Sequence, residues 1–103
     1  MNDHAPPVWK YRLGRLSSAE RSQIRRLRAR YPRVTTFTVA LLAEKVDRSL
    51  VSKVWGGVAT SSYVLLATWE AFRAAGWTPA SEPSWLLRAR ETLQRVKERR
   101  AAS

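Results

Sequence analysis

Apolar residues recur along this chain three and four positions apart, in runs separated by Pro, Gly and Ser/Thr/Asp caps. That is the spacing of amphipathic helices rather than of strands. Ile24, Leu27 and Tyr31 share one helical face. Ser17-x-x-Glu20 has the form of a capping box, and Pro32 forbids continuation, so a helix is expected over about 18–31. A second helix is expected from Thr36, which can cap it. Its stripe is Val39, Leu42, Ala43 and Val46. Asp47 can cap a third helix over 48–55, which Gly56-Gly57 ends. Ser61 or Ser62 opens a fourth that runs to Ala75 and is closed by Gly76. With Val64, Leu65, Trp69, Ala71 and Phe72 directed inward, it reads as the central, buried helix. Pro79 and Pro83 make 77–84 read as a linker. A last helix over 85–100 shows Leu86, Ala89, Leu93 and Val96 at 3-4-3 spacing, a narrow seam.

The fold class expected is therefore all-α. It is a small five-helix bundle with an arm at 1–16, a helical unit at 17–76, a linker at 77–84 and a C-terminal helix at 85–103. Trp55 and Trp69 read as core aromatics. Trp77 and Trp85 would pin the last helix onto the domain or against a second copy, and Trp9 has no assigned place.

Composition narrows the chemistry. The chain has 103 residues, too few for a catalytic and a regulatory domain together. It has no Cys and one His, His4, which excludes disulfides, thiolate chemistry and multi-His metal centres. Glu44 and Asp47 sit beside Arg48 and Lys53 with no third ligand close in sequence, so no metal, cofactor or enzymatic activity is expected. The longest apolar stretches, 39–43 and 63–67, are far shorter than a membrane span, and 1–7 carries no signal-peptide core. A cytoplasmic protein associated with nucleic acid, with no membrane partner, is the expectation.

Charge points to the partner. Lys and Arg total 19 against 8 Asp and Glu, a formal +11, and 15 of the cations are Arg. Arg presents a planar donor fork suited to phosphates and guanine edges. The excess is uneven: +7 over 1–34, +1 over 35–80 and +3 over 81–103. Arg21, Arg25 and Arg28 line one flank of the first helix, where phosphate contact is expected. Lys10, Arg12 and Arg15 in the arm suit a minor groove. The C-terminal cations have Glu91 and Glu98 for partners.

The string Leu41-Leu42-Ala43-Glu44-Lys45-Val46-Asp47-Arg48-Ser49-Leu50-Val51-Ser52-Lys53-Val54-Trp55-Gly56-Gly57 carries a short helix, a tight turn and a second short helix. Within it, Val46, Val51 and Val54 can hold the second helix on a scaffold while Arg48, Ser49, Ser52 and Lys53 point outward. These residues resemble the helix-turn-helix of the lambda-repressor-like superfamily, including the lactose-repressor family. The following Gly56-Gly57-Val58-Ala59-Thr60-Ser61-Ser62-Tyr63-Val64 is similar to the loop and helix start beyond it. Aligned on the three valines, the early Ala of that family falls on Leu41 and its turn Gly on Lys45. Aligned on Leu42-Ala43, the turn is about two residues short.

The resemblance implies sequence-specific binding of double-stranded DNA by a bacterial or phage transcriptional regulator. Base contacts would come from Arg48, Ser49, Ser52 and Lys53. Phosphate contacts would come from Arg21, Arg25, Arg28, Lys45, Thr60 and Ser61. A homodimer would form through Leu86, Leu93 and Val96, or a larger protein partner would use the C-terminal helix. The alternative reading is a non-enzymatic architectural or accessory subunit of a DNA packaging, recombination or transposition complex, or an RNA-binding protein.

Overall fold

The computed structural model describes residues 14–44 and 46–102. Among the described residues there are five helices and no strands: α1 (Ser18–Arg30), α2 (Thr36–Ala43), α3 (Arg48–Trp55), α4 (Ser62–Ala74) and α5 (Ser84–Ala102). None is long and apolar enough to cross a membrane.

Local chemistry sets the boundaries. Ser17 caps α1 by accepting from Glu20 N at 3.1 Å, and the Ser17 amide donates to Glu20 Oε1 at 2.8 Å, so the capping box is complete. Tyr31 ends the helix ahead of Pro32. The cap of α2 is Thr35, one residue before the expected Thr36. Thr35 and Thr38 exchange reciprocal bonds at 2.9 and 3.2 Å, and a pair spaced by three closes only if Thr35 is the cap. Asp47 accepts from Leu50 N at 2.8 Å and opens α3, and Ser61 accepts from Val64 N and opens α4. Gly76, at φ +113, follows α4 and turns Trp77 back, so that its amide donates to Phe72 O at 2.9 Å.

The core is continuous from Leu16 to Ala89. It includes Ile24, Val39, Val51, Val54, Val64, Phe72, Trp85 and Leu86, each no more than 1% exposed. Helix α4 is central, as expected, with Val64, Leu65, Ala67, Thr68, Ala71 and Phe72 buried; Trp69 is only half-buried. It packs against α2, α3 and α5, and α2 packs on α3.

One expectation is settled and two are corrected. First, of the two alternatives for the tryptophans flanking 77–84, pinning of the last helix onto this chain's own domain is the one found. Trp77 lies between Phe72 (6.0 Å, edge-on) and Trp85 (6.3 Å, stacked), and Pro83 is buried. Second, Leu86 cannot face a second copy, because it is fully buried in this chain's own core beside Trp85 and Ala89. Third, the α2 stripe does not close. The helix stops at Ala43, Glu44 turns the chain at φ +51, and Leu42 is left 49% exposed.

Glu44 is the one non-glycine residue at positive φ among those described, a conformation that costs a side-chain-bearing residue about 1–2 kcal/mol. Glu44→Gly is therefore expected to match or exceed the parent in urea-unfolding free energy, by up to about 1 kcal/mol. The added chain entropy of glycine offsets part of the relief. A clear loss would show that the Glu44 side chain contributes more than its backbone strain costs.

The last helix is tied to the first by a polar bridge. Glu20, only 6% exposed, receives Arg88 Nη1 at 2.6 Å, Arg88 Nη2 at 2.8 Å, the Ser84 hydroxyl at 2.6 Å and the Ser17 amide. Burial pushes the Glu20 carboxyl up. The Arg88 guanidinium, the Ser17 amide and the Ser84 hydroxyl outweigh it and hold the group at about 2, against an ordinary 4.5. Trp85 Nε1 donates to Gln23 Oε1 at 2.9 Å on the same seam. The expected pairing of the α5 cations with Glu91 and Glu98 thus holds for Arg95, which meets Glu91, while Arg90 meets Glu82 and Arg88 meets Glu20.

Candidate nucleic-acid interface

Helix α3 divides cleanly into two faces. Arg48, Ser49, Ser52 and Lys53 are exposed, while Val51, Val54 and Trp55 are buried. The Asp47 cap fixes this phase, because it sets where the first helical turn begins. Arg48 stands at the first helical position. A cation there opposes the positive end of the helix dipole, and its guanidinium has no partner among the described residues.

The base of α3 is held at several points. Trp55 Nε1 donates to Thr68 Oγ1 at 3.0 Å, and Thr68 donates in turn to Val64 O at 2.7 Å. A buried indole N–H needs such an acceptor. On the outer side the Arg28 guanidinium lies 4.6 Å from the Trp55 ring centre. Arg21 Nη1 reaches Gly56 O at 3.4 Å. Gly57 is at φ +77, and a Cβ there would stand 2.8 Å from Arg21 Nη1 and 3.3 Å from Leu16 O. Glycine is thus what lets the α1 edge approach the end of α3.

The result is one concave surface. Arg21, Arg25 and Arg28 of α1, Thr36 at the start of α2, and Ser52 and Gly56 of the α3 region line a cleft of about 260 Å³. Arg15, exposed, continues the basic edge in a neighbouring hollow with Leu16, Arg21 and Gly57. Its backbone carbonyl accepts from Arg88 Nη2 at 3.3 Å, so the bridge to α5 also anchors the backbone at Arg15.

Not every expected residue joins this surface. The single Thr60 hydroxyl proton goes to Gly14 O at 2.6 Å, so Thr60 cannot also donate to a phosphate in this arrangement. Ser61 spends its oxygen on the Val64 amide as the α4 cap and keeps its proton. Lys10, Arg12 and Lys45 lie outside the described residues. Leu93 is half-buried and Val96 is 38% exposed, both further along α5.

Two contributors were not legible beforehand. Thr68 is the one hydroxyl among the otherwise apolar buried residues of α4, and that was the available signal that a buried donor would need it. The stacking of Arg28 on Trp55 has no local signal, since 27 positions separate them. No group of three His, Cys, Asp or Glu that could hold a metal occurs among the described residues. Compared with known proteins, the chain matches no family model, no curated sequence and no solved structure.

Proposed function

We propose that this protein binds double-stranded DNA, with α2 and α3 acting as a helix-turn-helix and α3 entering the major groove. The observation that carries the reading is the joining of two surfaces of different chemistry. The short-side-chain face of α3, with Arg48 at its start, meets the Arg21, Arg25 and Arg28 edge of α1 through one cleft. A helix carrying small polar residues fits a groove ~12 Å wide. An arginine ladder beside it suits the phosphates that flank that groove.

In this arrangement Arg48 reads a base edge, with guanine O6 and N7 matching its fork. Ser49 and Ser52 make short-range contacts to base or phosphate, and Lys53 meets phosphate. Arg21, Arg25 and Arg28 set register along the backbone, and Arg15 directs the arm with Lys10 and Arg12 toward the adjacent minor groove. A second copy would meet this one through Leu93 and Val96, placing two α3 helices on a palindromic site about one helical turn apart. A small transcriptional regulator is the simplest use of such a module.

Selection of bound sequences from a random duplex pool, at two salt concentrations, tests this. A defined motif is expected. Arg48→Ala should then lose about 1–3 kcal/mol of preference for that motif over random duplex. Arg25→Ala should weaken both alike and lower the salt slope by about one. Recovery of all sequences equally would discard the regulator reading in favour of an architectural DNA-binding subunit, and preference for structured RNA would discard both.

A further inference from the structure

A second surface lies apart from the α1–α3 cleft and shares none of its lining residues. It is a groove of about 720 Å³ between the C-terminal end of α1, α2 and the last turn of α4. Its apolar wall is Leu41 and Leu42, which are 64% and 49% exposed. Its floor is Ala71, Ala74 and Ala75, small residues that admit close approach of another backbone. Arg30 and Arg33 stand on its rim with Tyr31 and Pro32 between them, and no Asp or Glu lines it. Arg30 lies over the Tyr31 ring, and neither cation has a carboxylate partner among the described residues.

We propose that this groove docks an acidic amphipathic helix of a partner protein. Two exposed leucines against an alanine floor present the surface that a helix covers with apolar side chains at i, i+3, i+4 and i+7. Neutralising Arg30 and Arg33 requires carboxylates flanking that apolar stripe. Charge also argues against a second copy of this chain. The same rim meeting itself sets Arg against Arg, and the exposed end of α5 is rich in cations. Nucleic acid would find two cations at the rim, but the one aromatic ring there, Tyr31, already lies under Arg30, and the wall and floor are apolar. The proposal is independent of the DNA-binding reading, and the two surfaces can be occupied together.

The probe is a labelled synthetic peptide of about four helical turns, with Leu at i, i+3, i+4 and i+7 and Glu elsewhere, titrated with the full chain by fluorescence anisotropy. A control peptide has the same composition with its leucines scattered off one face. Saturable binding of the amphipathic peptide is expected, well above that of the control, and persisting when excess random duplex is present. Leu41→Gln and Ala74→Gln should each weaken it by roughly tenfold or more, while Arg25→Ala should leave it unchanged. Both groove residues are exposed, so neither substitution disturbs the core.

Equal binding of the two peptides, displacement by duplex, or indifference to Leu41→Gln would each overturn the proposal, because each assigns the binding to general charge. Absence of peptide binding overturns it as well. So does concentration-dependent self-association of the protein that Leu41→Gln abolishes, which would give the groove to a second copy.

Discussion

Arg88→Ala is expected to lose about 3–5 kcal/mol of unfolding free energy at neutral pH, a large share of the 5–15 kcal/mol typical of a small domain. The side chain of Glu20 is 7% exposed, and without Arg88 its carboxylate would remain buried with only the Ser17 amide and the Ser84 hydroxyl. The pH dependence separates this from simple loss of packing. In the parent, the Glu20 carboxyl titrates near 2 when folded and near 4.5 when unfolded. A depressed folded value contributes stability that is present above pH 4.5 and lost as pH falls toward 2. It amounts to about 3 kcal/mol for a shift of this size. In the variant, burial is no longer outweighed, and protonation of Glu20 relieves the destabilisation. The gap between parent and variant, measured by urea unfolding, should therefore narrow as pH drops from 6 to 3. A gap that stays constant across that range would mean that the Arg88 methylenes, and not its charge, hold α5 in place.

Trp85→Ala is expected to cost a similar amount, about 3–5 kcal/mol. Trp85 is fully buried, stacked on Trp77 at 6.3 Å and bonded to Gln23. The informative result is the form of the transition. Because Trp85, Leu86 and Ala89 belong to the same core as Val51 and Val54, the whole chain should unfold in one step at lower urea, with circular dichroism and tryptophan fluorescence coinciding. Two separated transitions, with α1–α4 unmoved, would establish α5 as an independent appendage.

That outcome bears on what could be read from the chain before its fold was known. Helices α1, α3 and α4 were legible because their caps are local: Ser17 with Glu20, Asp47 with Leu50, Ser61 with Val64. The exposed face of α3 followed from the same cap, since once Asp47 is placed the phase of Arg48, Ser49, Ser52 and Lys53 is fixed. The placement of α5 was not legible. A 3-4-3 seam of Leu86, Ala89, Leu93 and Val96 looks the same whether it meets its own core or another copy, and the residue that decides the matter, Glu20, lies 68 positions from Arg88. The role of Trp77 in pinning the last helix was legible, but not whether it packs on this chain's own Phe72 and Trp85 or on a second copy, since nearby prolines mark an irregular backbone in either case. In α2 the run Thr36–Ala43 is apolar nearly all round, so nothing in its pattern says that Val39 faces inward while Leu41 and Leu42 are both left exposed. Nothing local to Thr60 shows that its proton is taken, because the acceptor, the Gly14 carbonyl, is 46 positions distant.

Trp55 has a consequence for the thermodynamics of recognition. With its indole bonded to Thr68, its outer face covered by Arg28 and Val51 and Val54 buried beside it, the backbone and inner face of α3 are already held before any ligand is met. On the proposed reading, the contribution of α3 to binding would be the heat-capacity change of desolvated contact surface, without the larger negative term that accompanies coupled folding of that helix. If α3 enters duplex DNA as proposed, adaptation to an imperfect site would come from bending or twisting of the duplex rather than from the backbone of α3. The cost of a mismatched step would therefore rise with the stiffness of the DNA around it.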